Sequence, residues 1–208
     1  MTDNQLTALQ CMKIAYENKP SLLLRGYNNK RACVVVIDMV EGFCGRGALF
    51  SPRFPALADR IASTLDFLPD ALKVFLNDRH PADAAEFKFF PPHCHTKAEC
   101  AVVRPLAPYV DRTVCKNSTN GIFAFATDAD INGFDSFLIM GVCSDLCVLQ
   151  FALSLRAYFN ERNRSPNVLV FTDYTDTYDG SGHDAGLSNI FAFKNMEDCG
   201  IQIFKDLK

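Results

Sequence analysis

Three of the four histidines fall in one short stretch, "NDRHPADAAEFKFFPPHCHTKAEC", residues 77–100. Asp78, His80, Glu86, His93 and His95 share it with two consecutive prolines. Such a cluster could ligate a metal, exchange protons, or form an ordinary polar loop. Elsewhere, other reactive residues stand at the ends of short apolar runs. "ACVVVID" ends at Asp38, "LKVFLND" at Asp78 and "RTVCK" at Lys116. "SFLIMGV" is followed by "CSDLC", with Cys143 and Cys147. A strand-ending Asp is commonly a turn former or cap. A carboxylate, a carboxylate–imidazole pair, an amine and a thiol on four successive runs are harder to explain as capping.

The chemistry this set could perform is acyl transfer through a thioester. Cys147 precedes a helical pattern, where exposed N–H groups and the helix dipole favour an anion. A nearby Lys116 is expected to depress its pKa further. Asp38 could take and return a proton. Backbone N–H groups around Cys143 and Cys147 could hold an oxyanion. Two other readings stand beside this one. Cys147 could be a buried structural cysteine, or it could form a redox pair with Cys143.

The elements that must position these residues are readable from periodicity. The runs at 32–38, 72–78, 112–116, 136–142 and 167–173, with a weaker one at 201–204, are nearly continuous in apolar residues. That pattern means strands buried on both faces, as in a parallel sheet. Helical patterns lie between them at 54–68, 145–162 and 184–200, the last beginning with Asp184 as a cap and closing at Gly200. The alternation predicts a three-layer, doubly wound α/β fold with a central, mainly parallel sheet. In such sheets ligands bind beyond the carboxyl ends of the strands, where the reactive residues fall. Residues 1–30 lie outside the alternation and are read as an N-terminal helical extension to a domain spanning 31–208. "LTALQCMKIAYEN" has helical spacing. It could cover a sheet edge or reach a second subunit; a packed extra helix is the plainer expectation.

Bulk properties narrow the class. A chain of 208 residues suits one such domain. The net charge of -3 and the absence of a basic stretch argue against nucleic acid. No apolar run approaches the ~20 residues of a membrane span, and the N-terminus lacks a signal-peptide pattern. The expectation is a cytoplasmic protein with a small-molecule substrate, a homo-oligomer being open. Nine cysteines, scattered and without a CxxC pair, read as reduced thiols rather than a disulfide framework.

Asp38 after its apolar run, Lys116 closing the third, and "GVCSDLCV" at 141–148 resemble the isochorismatase-like cysteine hydrolase superfamily, and within it the nicotinamidases. The similarity runs through most of residues 32–204. It implies a catalytic Asp38–Lys116–Cys147 set and a cis peptide between Val142 and Cys143 that helps shape the oxyanion hole. It also implies a divalent transition metal, Zn, Mn or Fe, held by Asp78, His80, Glu86 and His93. Two imidazoles and two carboxylates suit those ions. His93 is preferred to His95 because "FPPHC" matches the family motif, and His183 is read as a loop or helix-entry residue. Phe43 and Phe90 would face an aromatic substrate. The implied activity is hydrolysis of nicotinamide to nicotinate and ammonia. Another small amide, or a non-catalytic metal- or thiol-binding module on the same fold, is the alternative. Three stretches depart from the family pattern. "DMVEGF" lacks the usual polar pair, Phe90 replaces a tryptophan, and "HTKAEC" replaces a Gly-rich segment.

Overall fold

The computed structural model describes residues 2–25, 29–128 and 131–208. Six strands form one parallel sheet: β1 (Ala32–Ile37), β2 (Leu72–Asp78), β3 (Arg112–Lys116), β4 (Ser136–Val142), β5 (Asn167–Asp176) and β6 (Gln202–Phe204). Their spatial order is β3-β2-β1-β4-β5-β6. The sheet therefore grows outward in both directions from β1 and β4, and the crevice between those two is the topological switch point.

Alternation of side chains along the central strands builds two cores. Val34, Val36, Leu138 and Met140 pack on one face with Leu57, Ile61 and Leu65 of helix α3 (Pro55–Leu65). Val35, Ile37, Phe137 and Ile139 pack on the other. There they meet α4 (Ile122–Asp128), α5 (Cys147–Asn160) and α6 (Ala185–Asp198) through Phe125, Phe151, Phe159 and Phe193. The result is the expected three-layer α/β fold. Asp184 caps α6, its side chain accepting from the Leu187 N–H at 2.8 Å. Two short helices escape the periodicity reading: α2 (Glu41–Cys44), a single turn, and α4, only seven residues long.

The N-terminal helix α1 (Asp3–Glu17) begins with a capping box between Thr2 and Gln5. It buries no residue fully and lies on α6, where the Tyr16 and Phe193 rings stack at 5.6 Å. Edge pairing falls instead to the segment after the helix. The Leu22 N–H donates to Asp206 O at 2.8 Å, and the Lys208 N–H donates to Leu22 O at 2.9 Å. Residues 26–28 of the extension lie outside the described residues. Among the described residues, no helix is long and apolar enough to cross a membrane.

Two backbone features prepare the site at the strand ends. Asp38 leaves β1 with φ 55°, in the left-handed region that Asp tolerates better than most residues. Gly141 has φ +113°, and a Cβ there would sit 2.1 Å from Ile37 O. Only glycine lets β4 approach β1 this closely. Gly141→Ala is therefore expected to cost ~3 kcal/mol or more, or to prevent folding. Gly182→Ala, at φ +75° with nothing within 4 Å of the added carbon, should cost only ~1 kcal/mol. Urea denaturation of the two variants checks this; equal losses would show that close approach is not the constraint.

Candidate active site

Asp38, Lys116 and Cys147 reach one point from three elements, and Asp78 from a fourth joins them. β2 and β3 are in register so that Asp78 lies beside Lys116. The Lys116 ammonium is 2.9 Å from Asp38 Oδ2, bonds Asp78 Oδ1 by a short contact, and lies 3.7 Å from Cys147 Sγ. Asp38 Oδ1 accepts the Asp78 backbone N–H at 2.7 Å. Asp38 Oδ2 makes no aligned hydrogen bond within the protein, so it keeps a lone pair to accept a proton. One oxygen from each carboxylate and the thiol sulfur lie within 4.8 Å of one another.

Electrostatics divides the labour between the carboxylates. Burial and the charge of Asp78 push Asp38 up to about 6, against the pull of Lys116. Burial acts on Asp78 as well, but Lys116, His80 and His93 outweigh it and hold this carboxyl below the usual range. Asp78 is thus the permanent anion and Asp38 the group that can exchange a proton near neutrality. The thiol differs from the sequence expectation. Burial raises Cys147 well above an ordinary cysteine despite Lys116. The lysine is already engaged by two carboxylates. A thiol so held can attack as a nucleophile only once its proton has a place to go.

The turn that presents Cys147 is tightly determined. The Val142–Cys143 peptide is cis, as the resemblance implies. Cys143 O accepts the N–H groups of Leu146 and Val148 at 3.1 and 3.0 Å. The Ser144 N–H donates to Asp176 O at 2.9 Å. Cys147 opens α5, with Leu146 offering no side-chain cap, so the Cys147 N–H belongs to the unpaired first turn.

Next to this set, donor atoms of Asp78, His80 and His93 lie within 4.8 Å of one another, all three residues buried. His80 Nδ1 is 2.8 Å from Asn117 Oδ1, and His93 Nδ1 is 2.8 Å from Pro91 O. Both partners are acceptors, which fixes Nδ1 as the donor side of each ring and turns Nε2 toward Asp78. Those Nε2 atoms face Asp78 at 3.5 and 3.7 Å, and His80 Nε2 is buried without a protein partner. Two oriented imidazoles and a carboxylate fit a divalent transition metal. Glu86 does not join this cluster. Its Oε1 accepts from the N–H and hydroxyl of Thr119 at 2.7 and 3.1 Å, on the wall of the same cavity. His95 faces Glu99, 3.4 Å away, and His183 faces Asp145, 2.7 Å away.

The cavity, about 250 Å³, has Asp38, Asp78, His93 and Cys147 among its lining residues. Phe43, Phe90, Phe50 and Tyr178 supply aromatic surface. The centroids of Phe43 and Phe90 lie 5.7 and 6.2 Å from that of His93.

The isochorismatase domain model matches residues 32–199. The chain belongs to the isochorismatase family. Similar solved structures include a pyrazinamidase/nicotinamidase from Streptococcus mutans, with TM-score 0.66 and 18% identity over 83% of this chain and 99% of that one. The pyrazinamidase of Pyrococcus horikoshii in complex with zinc gives TM-score 0.66 and 22% identity over 84% and 99%. N-carbamoylsarcosine amidase from Thermoplasma acidophilum gives TM-score 0.65 and 20% identity over 84% and 96%. A search of curated proteins finds no match. At these identities the likenesses establish the fold of this isochorismatase-superfamily hydrolase.

Several residues of the site escape the sequence reading. Asn117 follows the strand-ending Lys116, so the strand-end rule could have found it. Phe87, whose ring lies 5.4 Å from His80 and 5.7 Å from His93, is one phenylalanine among 18 and carries no signal. Thr119, Tyr178 and Phe50 are equally silent. Two of the stretches that depart from the family pattern prove to touch. The Gly42 N–H donates to Glu99 O at 2.9 Å, and a Cβ on Gly42 would lie 2.7 Å from Cys94 Sγ.

The geometry separates the histidines and the two turn cysteines experimentally. Metal analysis should find about one transition-metal ion per chain, lost in His93→Ala and retained in His95→Ala. Glu86→Gln should weaken metal retention far less than His93→Ala. Metal loss in His95→Ala alone would refute the cluster. Cys147→Ala should lose all turnover with its fold retained by circular dichroism, whereas Cys143→Ala should keep substantial activity.

Proposed function

We propose that this hydrolase is a metal-assisted cysteine amidohydrolase that converts nicotinamide and water to nicotinate and ammonia. The observation that carries the reading is the sharing of Asp78. One carboxylate pairs with the lysine beside the nucleophile and faces two metal-ready imidazoles, in a cavity with aromatic walls. Asp78, His80 and His93 would hold the ion. When bound, it supplies Lewis acidity toward a heteroaromatic ring nitrogen.

The chain's own residues account for the acyl transfer. As Cys147 Sγ bonds to the amide carbon, its proton passes to Asp38. The negative charge moves to the amide oxygen, where the free N–H at the start of α5 can receive it. Asp38 then gives the proton to the departing nitrogen, and ammonia leaves with the C–N bond broken. Water cleaves the thioester as Asp38 takes one of its protons and passes it to the leaving Cys147 sulfur, and the acid product gives its remaining proton to solvent as the carboxylate leaves. Lys116 stays charged throughout and prevents Asp38 and Asp78 from repelling each other out of position.

The cavity lining also bears on substrate class. Asp38, Asp78, Glu86 and Asp179 line it, and no Lys or Arg does among the described lining residues. That supports a neutral amide over a carboxylate-bearing one such as N-carbamoylsarcosine, whose charge would meet like charges in a partly dehydrated site.

Ammonia release from nicotinamide is the direct test. It should occur, vanish after chelation and return when Zn²⁺, Mn²⁺ or Fe²⁺ is restored. Release unaffected by rigorous metal removal would end the metal-assisted reading, and no release from any small amide would favour a binding module. Phe43→Leu and Phe90→Leu should raise KM for nicotinamide and pyrazinamide about five-fold, since aromatic stacking contributes ~1 kcal/mol beyond burial. KM for an aliphatic amide should move less. A wild-type preference for the aliphatic amide would leave the cysteine chemistry standing and remove nicotinamide as the substrate.

A further inference from the structure

His183 lies between β5 and α6, outside the catalytic and metal clusters. Its Nδ1 is 2.8 Å from Tyr178 O. Its Nε2 is 2.7 Å from Asp145 Oδ2 and 3.1 Å from Ser188 Oγ. A backbone carbonyl and a carboxylate can only accept. Either neutral tautomer would therefore aim one nitrogen lone pair at an oxygen lone pair at close range. The Ser188 hydroxyl does not resolve this, because the Asp145 oxygen is nearer to the same nitrogen. The arrangement is satisfied only when both nitrogens carry protons.

The two acceptors belong to different walls of the active site. Tyr178 lines the catalytic cavity, and its ring stacks flat on His183 at 4.0 Å and 5°, a geometry that favours a cationic imidazole. Asp145 sits in the turn between Cys143 and Cys147, and its Oδ1 accepts the Thr177 hydroxyl at 2.6 Å. The other charged groups around the ring leave a net negative surrounding. Asp179 and Asp184 come from the same loop and from the α6 cap. Arg53 comes from the loop before α3 and is engaged by Asp176 and Asp179.

We propose that His183 is a positioning residue: as an imidazolium it pins the Tyr178 wall to the turn that presents Cys147, and the pin releases when the ring loses its proton. Burial opposes the charge, but Asp145 and the Tyr178 carbonyl outweigh it, and the His183 pKa is raised. For a raised histidine pKa the contribution is fully present below the ordinary value of ~6.5 and is lost as pH rises through the folded-state pKa. The pin should therefore hold on the acidic side and fail toward alkaline pH. The inference rests on the cysteine amidohydrolase reading for its consequence in turnover, but not for the state of the ring.

With only four histidines, nitrogen-15 NMR can report each ring. His183 should have both nitrogens protonated at pH 7; a neutral His183 at pH 6.5 would overturn the proposal. KM for nicotinamide should rise several-fold in wild type between pH 6.5 and 9, with kcat changing less. In His183→Gln it should be high already at pH 6.5 and nearly flat. Asp145→Asn, which keeps the histidine, should move in the same direction. An unchanged KM profile in both variants would refute the positioning role. Iodoacetamide alkylation of Cys147, read by mass spectrometry, probes the turn without substrate. If nicotinamide is not a substrate, wild type and His183→Gln should still differ in the pH profile of that rate, and identical profiles would sink the inference independently.

Discussion

A lysine ammonium buried between two carboxylates sets the terms for the rest of the molecule. Removing three charges from water costs several kcal/mol per ion unless each is closely paired. Lys116 achieves this only because Asp38 and Asp78 stand on adjacent strand ends. The parallel register places Asp78 beside Lys116. The left-handed turn at Asp38 brings its carboxylate back over the β2 end, where it accepts the Asp78 N–H. Without the sheet the triad could not exist, and without the lysine two carboxylates would share a dry site. The set carries one surplus negative charge, which adds to the effect of burial in raising the Asp38 carboxyl above an ordinary aspartate.

The surplus also links the two halves of the site. Asp78 faces Lys116 on one side and His80 and His93 on the other. A cation among the imidazoles would draw negative charge from Asp78, which in turn would weaken its repulsion of Asp38. Under the proposed mechanism, Asp38 and an ion at the imidazoles would therefore be coupled through a single carboxylate. The imidazoles are held ready by Asn117 and Pro91, an orientation fixed by the protein itself.

What is legible in the sequence follows from the same physics. Strands buried on both faces, as β1, β2 and β4 are, read as continuous apolar runs, so they and their reactive end residues stand out from the amino-acid pattern alone. The edge strands β3 and β6 are buried only in part, although their runs look alike. The convergence of Asp38, Asp78, Lys116 and Cys147 follows from the parallel topology. Local context is less legible. Glu86 has the spacing of a ligand, but its carboxylate is taken by Thr119, a contact across 33 residues that no periodicity announces. The direction of the Cys147 shift departs from expectation because a helix start and a nearby lysine are visible in sequence, whereas the depth of burial and the lysine's engagement by two carboxylates are not. Helices α2 and α4 are too short for their apolar spacing to rise above chance.

The cavity walls belong to this less legible class because polar contacts between distant segments join the packed residues that line them. Arg53 binds Asp176 through Nε and Nη2 at 3.1 and 3.0 Å, which ties the Ser51–Pro52 wall to the end of β5. Asp176 reaches that position because the β4–β5 register shifts between Ile139 and Gly141, which sets Asp176 opposite Val142. Its carboxylate also accepts from Asn189 at 2.9 Å, and Asn189 in turn bonds Ser144 beside the cis peptide. A chain of buried and part-buried hydrogen bonds thus runs from α6 through the strand end to the turn that presents Cys147. Apolar cores tolerate repacking, but a connected polar network fixes one geometry because each broken link strands a buried group. The proposed acyl transfer would need a thiol, a proton acceptor and an oxyanion donor held within a few ångströms, and a connected polar network around the switch point of the sheet is suited to hold such a geometry.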